Sequence, residues 1–396
     1  MAGEGAGPVN PHEVPTPVCP QKSVRNRSAL TPRGRTRFAI SVGPVTASHP
    51  TIELGLDTFG DITQGPDGRP LSAAQVLRNV VAEAELADRL GLSFIGLGEH
   101  HRPDFAISAP EVVLAAVAAR TSRIKLGTAV TVLSSDDPVR VYQRFATLDA
   151  LSGGRAEIIL GRGSFTESFP LFGHKLDDYD VLFEEKLAIF AAIRDADATG
   201  QPVHWRGTVR PPLDVAAVHP RLERPPLPVW VGVGGSPESV ARAANYGFPL
   251  TLAIIGGDPR RFAGYIELYY RVLDQLGRAR LPVGVHSPGY VADSDEAARE
   301  ELWPHYEVMR NRIGSERGWP RTSRAEFDRE VAVGSLYVGS PETVAQKVAA
   351  TMRALGVARF DFKYSAGALP HDAMLRSIEL YGSEVAPRVR ALLQHR

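Results

Sequence analysis

Cysteine is almost missing from this sequence: Cys19 is the only one in 396 residues. Its isolation excludes disulfide frameworks, cysteine-rich zinc sites and dithiol redox chemistry together. Its place in a proline-rich stretch also makes it a poor nucleophile. Lysine is scarce, present only at 22, 125, 175, 186, 347 and 363, so arginine supplies most of the positive charge. Neither sign is in excess, because 45 Lys and Arg balance 45 Asp and Glu. A nucleic-acid binder carries a basic footprint that this chain lacks, and no such partner is expected. No apolar run approaches the roughly 18 residues that a membrane-spanning helix needs, so no membrane association is expected. The first residues lack the apolar segment of a signal peptide, which makes the cytoplasm the expected location. The phosphate loop GxxxxGK[ST] and the metal motifs HxH and HExxH are absent as well, which argues against triphosphate hydrolysis and a metal site. What is present, 43% hydrophobic and 23% charged residues, is the composition of a soluble enzyme with a large buried core.

At about 150 residues per domain the length suggests two or three domains, yet α/β barrels often exceed 200 residues as a single one. Residues 1–36 are rich in Gly, Pro, Ser, Thr and Arg without apolar periodicity and read as a disordered arm. Over 37–396, short apolar runs alternate with segments of helical period, the pattern of βα units around a parallel sheet. Strands are expected at Phe38–Val42, Phe94–Leu97, Ile124–Val130, Ala156–Leu160, Val229–Val233, Leu250–Ile254, Val283–Val291 and Phe360–Lys363. Helices are expected at 72–90, 109–120, 139–152, 177–195, 237–246, 259–276, 341–356 and 371–393. Ser72 to Gln75 reads as a capping box, and Ser236-Pro237 and Ser340-Pro341 each place a capping residue before Pro at the first helical position. Eight strands each followed by a helix make a (β/α)8 TIM barrel. An open doubly wound sheet fits the same alternation, but no GxGxxG follows the first strand. Two stretches are too long for barrel connectors and are read as insertions after strands 4 and 7. The first, 199–228, holds a hairpin near His204 to Thr208; the second, 292–338, holds Trp303-Pro304-His305-Tyr306 and is the candidate lid.

Active sites of such barrels gather at the C-terminal ends of the strands. The second strand ends in Glu99-His100-His101. Neighbouring residues on a strand point to opposite faces, so both histidines serve one metal ion only if the strand has already ended. A structural pair, or one histidine acting in the pocket as acid, base or hydrogen-bond donor, are the other readings. Gly161-Arg162-Gly163 lets backbone approach a ligand and offers an arginine fork to a phosphate, although a salt bridge explains Arg162 equally well. Gly234-Gly235-Ser236-Pro237 starts a helix and offers backbone N–H groups to an anion. Gly339-Ser340-Pro341 repeats that signature, and the pattern does not choose between them.

Taken as a set, Phe94 to His101, Ile124 to Ala129, Leu148 to Arg155, Leu160 to Gly163, Phe169 to Gly173, Pro228 to Ser236 and Val338 to Glu342 resemble the bacterial luciferase-like flavin-dependent monooxygenases. The resemblance spans roughly residues 37 to 390. It implies a two-component enzyme that receives reduced FMN from a separate NAD(P)H-dependent flavin reductase and uses O2, through a flavin peroxide, to oxygenate a small organic substrate. It implies His100 as the catalytic residue. FMN contacts are implied for Thr128, Ala129, Val130, Gly161, Arg162, Ser164, Val233, Gly234, Gly235 and Ser236. A cis peptide between Ala129 and Val130 is implied beneath the flavin ring. Where this chain has Gly234-Gly235, luciferase has an acidic residue and a serine, so only the backbone part of that cradle carries over. The substrate pocket is expected near Asp57, Phe59, His101 and Tyr306, and a homodimer is expected. Relatives that use the deazaflavin F420, a silent flavin-binding protein and a metal-dependent hydrolase using His100 and His101 are the competing readings.

Overall fold

The protein is described here by a computed structural model over residues 52–394. The expected arm at 1–36, Cys19 and the strand expected at Phe38–Val42 lie outside these residues. The strands are β1 (Glu53–Thr58), β2 (Phe94–Leu97), β3 (Lys125–Thr128), β4 (Thr131–Val132), β5 (Ile158–Gly161) and the pair β6 (Val203–Trp205) and β7 (Leu213–Val215). They continue with β8 (Val229–Val233), β9 (Leu250–Ala253), β10 (Val283–Val291), β11 (Tyr337–Gly339) and β12 (Arg359–Lys363). The helices are α1 (Ala73–Arg89), α2 (Pro110–Ala118), α3 (Pro138–Ser152), α4 (Ser168–Leu171), α5 (Tyr179–Thr199) and α6 (Pro237–Tyr246). After them come α7 (Ala263–Gln275), α8 (Asp295–Arg317), α9 (Arg324–Ala332), α10 (Pro341–Leu355), α11 (His371–Leu380) and α12 (Ala386–Gln394).

The parallel sheet runs β3-β2-β1-β12-β10-β9-β8-β5-β4. Strands β3 and β4 are two parts of one stave, separated at Ala129–Val130, whose peptide is cis as the resemblance implied. A parallel bridge between Leu126 and Ala156 joins β3 to the lead-in of β5, which closes eight staves into a (β/α)8 barrel. The segment after β5 carries the β6–β7 hairpin, and the segment after β10 carries α8, α9 and β11.

The first stave corrects the sequence reading. It is β1, paired to both β2 and β12, a strand that the sequence reading did not list. Leu54 and Leu56 are buried against the helical layer, whereas Gly55 and Asp57 face the barrel axis. An aspartate and a glycine on the inward face hide the strand from any apolar pattern. The Ser72 cap is also only half a box: its hydroxyl accepts from Gln75 N, but the Gln75 side chain turns to Asn79 Oδ1 at 2.8 Å. A reciprocal box occurs at Ser323 and Glu326 instead.

The barrel interior is charged at both ends. On β12, Phe360 and Phe362 point outward onto Tyr337 and Tyr381, so Arg359, Asp361 and Lys363 point inward. Arg359, 1% exposed, lies 4.0 Å from the Phe94 ring centre and 4.7 Å from that of Trp230. It donates to Asp361 Oδ2 at 2.8 Å and to the Glu157 carboxylate. Arg359 opens β12, Phe94 opens β2, and Glu157 immediately precedes β5, so this cluster seals the N-terminal end. Lys363 ends β12 and belongs to the opposite rim.

Candidate active site

At the C-terminal rim the chains leaving β1, β2 and β5 build an aromatic box around His100. Its ring centre lies 4.7 Å from Phe59, 4.6 Å from Phe105 and 5.2 Å from Phe165. Gly98 makes the box possible, because a Cβ there would stand 2.2 Å from the Phe59 ring. Burial drives the His100 pKa down to about 3, with the charges of Lys363, Arg102 and His101 adding to it and Asp61 opposing. His100 is therefore a neutral imidazole, able to share a hydrogen bond and unable to hold a charge. His101 behaves in the opposite way. Its Nε2 bonds Glu99 Oε1 at 3.0 Å, and this bond raises its pKa. Glu99 is fixed in turn by accepting from Val132 N at 2.8 Å, and the His101 ring meets Phe172 edge-on. The adjacent histidines thus have separate partners. Among the described residues no group of three or more His, Cys, Asp and Glu is placed to hold a metal ion.

The next part of the rim comes from β3 to β5. Thr128 Oγ1 donates to Ile159 O at 3.2 Å and accepts from Thr131 Oγ1 at 3.0 Å, so it ties two staves together. After the cis peptide the Val130 methyls fill the space beside Gly161 and Gly232, where a Cβ would stand 2.5 and 2.8 Å from them. Arg162 reaches the rim, pairs with Asp180 Oδ1 at 2.9 Å and lies 5.2 Å over the Tyr179 ring. Asp180 is 80% exposed, so this pair holds Arg162 only weakly.

The two similar helix starts differ in what fills them. At α10, Asp295 is already in place: its Oδ1 accepts from Ser340 N at 2.7 Å and its Oδ2 from Thr343 Oγ1 at 2.9 Å. A second anion there would meet that carboxylate. At α6, Ser236 Oγ accepts from Ser239 N, while a Cβ on Gly234 would meet nothing within 4 Å. Gly235, at φ 115°, adopts a conformation that suits glycine, and its carbonyl is anchored by Tyr265 OH at 2.6 Å. The charge of Arg162 reaches this turn. The Glu238 carboxyl in it is held low by its own backbone N–H and the Ser236 hydroxyl, and then by the charges of Arg162 and Arg242. Removing the internal anion, as in Asp295→Ala, should lower stability by about 1 to 2 kcal/mol through the lost cap, read as a shift in the urea midpoint.

Asp57, expected in the pocket, does lie beside Phe59, but the sequence reading missed its partner His286 and the nearby Lys363. Asp57 Oδ2 and His286 Nδ1, from β1 and β10, are 2.6 Å apart in the buried interior. Lys363 Nζ is 3.3 Å from Asp61 Oδ2, donates to the Ser365 carbonyl and hydroxyl, and stands 4.7 Å from the Phe59 ring centre. The available signal was an ionisable residue at every second position in and just before an expected strand, as in Arg359-Phe-Asp-Phe-Lys363.

Helix α8 covers the rim. Arg102 pairs with Glu316 at 2.5 Å, Arg312 with Asp104 at 2.9 Å, and Arg317 donates to Ser164 O at 3.0 Å. Arg102 and Arg317 both lie over the Phe165 ring, at 4.5 and 4.7 Å. The predicted residues Phe59 and His100 are in contact, Asp57 reaches the same region through His286, and Ser164 is tied to the cover. Val233 is buried at the end of β8. Tyr306 is not part of the cluster; with Trp303 it packs on Phe327 of α9.

The sequence model of the luciferase-like monooxygenases matches residues 58–359, from the first stave to the last. The chain belongs to this family. A 4-hydroxyprotoasukamycin monooxygenase of Streptomyces nodosus subsp. asukaensis is 30% identical over 330 residues, 78% of this chain and 86% of that protein. Among solved structures, the FMN complex of the oxygenating constituent of 3,6-diketocamphane monooxygenase from Pseudomonas putida shares the fold, with a TM-score of 0.68 at 20% identity over 86% of this chain and 99% of that one. The coenzyme F420-dependent tetrahydromethanopterin reductase of Methanopyrus kandleri has a TM-score of 0.64 at 19% identity, again over 86% and 99%. The luciferase-like barrel therefore appears in this chain with its C-terminal rim and a helical cover over it.

Proposed function

We propose that this luciferase-like protein is a two-component monooxygenase that takes reduced FMN from a separate NAD(P)H-dependent flavin reductase and places one atom of O2 in a small organic substrate. The observation that carries this reading is that the charge of Arg162 reaches the start of α6, where the carboxylate present is that turn's own exposed Glu238, while the look-alike start of α10 is filled by Asp295 from α8. A phosphate fits there, because an arginine fork and the N–H groups of Gly234, Gly235 and Ser236 converge on the positive end of a helix. The FMN complex of the structural neighbour supports the same cofactor. When bound, the reduced flavin supplies the reaction with O2. The chain's own residues then hold, border and shield it. Arg162, with Gly161 and Ser164 beside it, takes the phosphate; Thr128, Ala129, Val130 and Val233 border the ring; Phe165 and α8 keep water out. His100 acts as the catalytic residue through a neutral hydrogen bond, as its burial requires. The protein is read as a cytoplasmic homodimer, and sedimentation velocity checks the assembly.

Arg162→Ala should weaken FMN binding by about 1.5 to 3 kcal/mol, the range of a charged hydrogen bond, measured by quenching of flavin fluorescence. Unchanged affinity would move the phosphate elsewhere. Mixing FMNH2-loaded protein with O2 should oxidise the flavin more slowly than free FMNH2. The F420-dependent neighbour supports a second reading, hydride transfer to or from a deazaflavin. Turnover with F420 and no consumption of O2 would establish it in place of the first.

A further inference from the structure

Beside the aromatic box stands a second histidine with a different environment. His286 lies on β10, with Asp361 of β12 and Ala253 of β9 as its register partners, and it faces the barrel axis. Its Nδ1 is engaged by Asp57, whose side chain is 1% exposed. Only one oxygen of Asp57 is used, because Oδ1 is buried without a partner, so the carboxylate is directed at this imidazole. The ring's other nitrogen, Nε2, has no partner among the described residues, and the side chain keeps 11% exposure toward the rim. The inward ionisable groups on the packed strands are Asp57, Asp361 and Lys363, with Arg359 behind Asp361 toward the N-terminal end, Asp61 beyond Lys363 and His100 across the Phe59 ring. Lys363 is committed to Asp61 and Ser365. His100 stays neutral. Of the groups at this part of the rim, His286 alone combines a carboxylate on one nitrogen with an unpartnered second nitrogen. A carboxylate on Nδ1 fixes the tautomer, leaves the Nε2 lone pair as a base and offsets the imidazolium that forms when it takes a proton. Its neighbours are ring faces: Phe59 lies nearly parallel to it, at 13° and 6.1 Å, with Phe105 and Phe165 beyond.

We infer that Asp57 and His286 form the base that ionises the substrate, and that the substrate is a small aromatic or enolic compound with an acidic hydroxyl. In this step the substrate O–H bond breaks, its electron pair stays on oxygen, and the proton forms the Nε2–H bond of His286. Asp57 remains a carboxylate and serves as a positioning residue. No electrons are exchanged. The inference rests on the oxygenase reading above, because an ionised ring is the electron-rich form that accepts an oxygen atom.

The test uses the full chain loaded with FMN and 4-nitrophenol as the probe, at a pH below the probe's own pKa, read by difference absorbance. Wild type should bind the probe as the yellow phenolate and bind 4-nitroanisole, which has no hydroxyl, about tenfold or more weakly. His286→Gln should remove the phenolate band while FMN affinity stays as in wild type. Asp57→Asn should lower the ionised fraction of bound probe without changing affinity for 4-nitroanisole, an outcome that simple loss of packing would not give. Equal binding of nitrophenol and nitroanisole by wild type, or an equal phenolate band in His286→Gln, would overturn the inference. The nitroanisole comparison needs no variant and holds even if a substituted chain fails to fold. Failure of wild type to bind FMN would instead count against the oxygenase reading, so the two failures are distinguishable.

Discussion

Replacing Arg359 by Met should cost about 3 to 5 kcal/mol of stability. The methionine would still fill the space between Phe94 and Trp230, so the cost comes from charge rather than from a cavity. Asp361, 1% exposed, would be left in the interior without its cation, and Glu157, 3% exposed, would keep only Lys125 at 4.0 Å. Burial already pushes the Asp361 pKa upward against the pull of Arg359. Urea unfolding with an unchanged slope and a lower midpoint is the expected record. The triple change Arg359→Met, Glu157→Gln and Asp361→Asn should recover most of the loss, since removing a whole buried ion group is far cheaper than breaking it. A single-variant loss below about 1 kcal/mol would mean that water reaches the carboxylates and that the end is not sealed.

The second large effect lies in acid. A histidine whose folded pKa is lowered takes up its proton in the unfolded chain first. For His100 the unfolded group protonates near its ordinary 6.5, while the folded one waits until about 3. Stability from this residue is therefore complete above pH 6.5 and is lost as the pH falls through that interval. The linkage amounts to about 5 kcal/mol at most. His100→Phe keeps a ring in the box and removes the titration. Unfolding free energies from about pH 7 to about pH 4 should then fall less steeply than in wild type. Parallel slopes would show that the box admits water and that His100 can carry a charge.

Much of the fold was legible because the outward faces of the staves obey simple rules. Val229–Val233 and Val283–Val291 emerge with the expected bounds, and the capping serines before Pro237 and Pro341 start their helices where expected. β1 was not legible because its inward residues, Gly55 and Asp57, make sense only beside Phe94, Asp361 and His286, which lie far along the chain. The same long-range dependence hid the base: nothing near Asp57 in sequence announces a histidine 229 positions later. His100 was legible from its place after β2, but not its lack of charge, because Phe105 and Phe165 come from two separate loops. The two helix starts look alike in sequence, and Asp295, 45 residues before Ser340, is what sets them apart.

Arg359 and its aromatic neighbours have one more consequence, for traffic. A barrel stopped at one end has a single doorway, and under the proposed oxygenase reading cofactor, substrate and product all pass it in turn. Whatever sits deepest enters first and leaves last. The bar across that doorway is α8, fastened by Arg102 to Glu316 and by Arg312 to Asp104. Its fastenings are ion pairs at the solvent edge, so dissolved salt has its own grip on the latch.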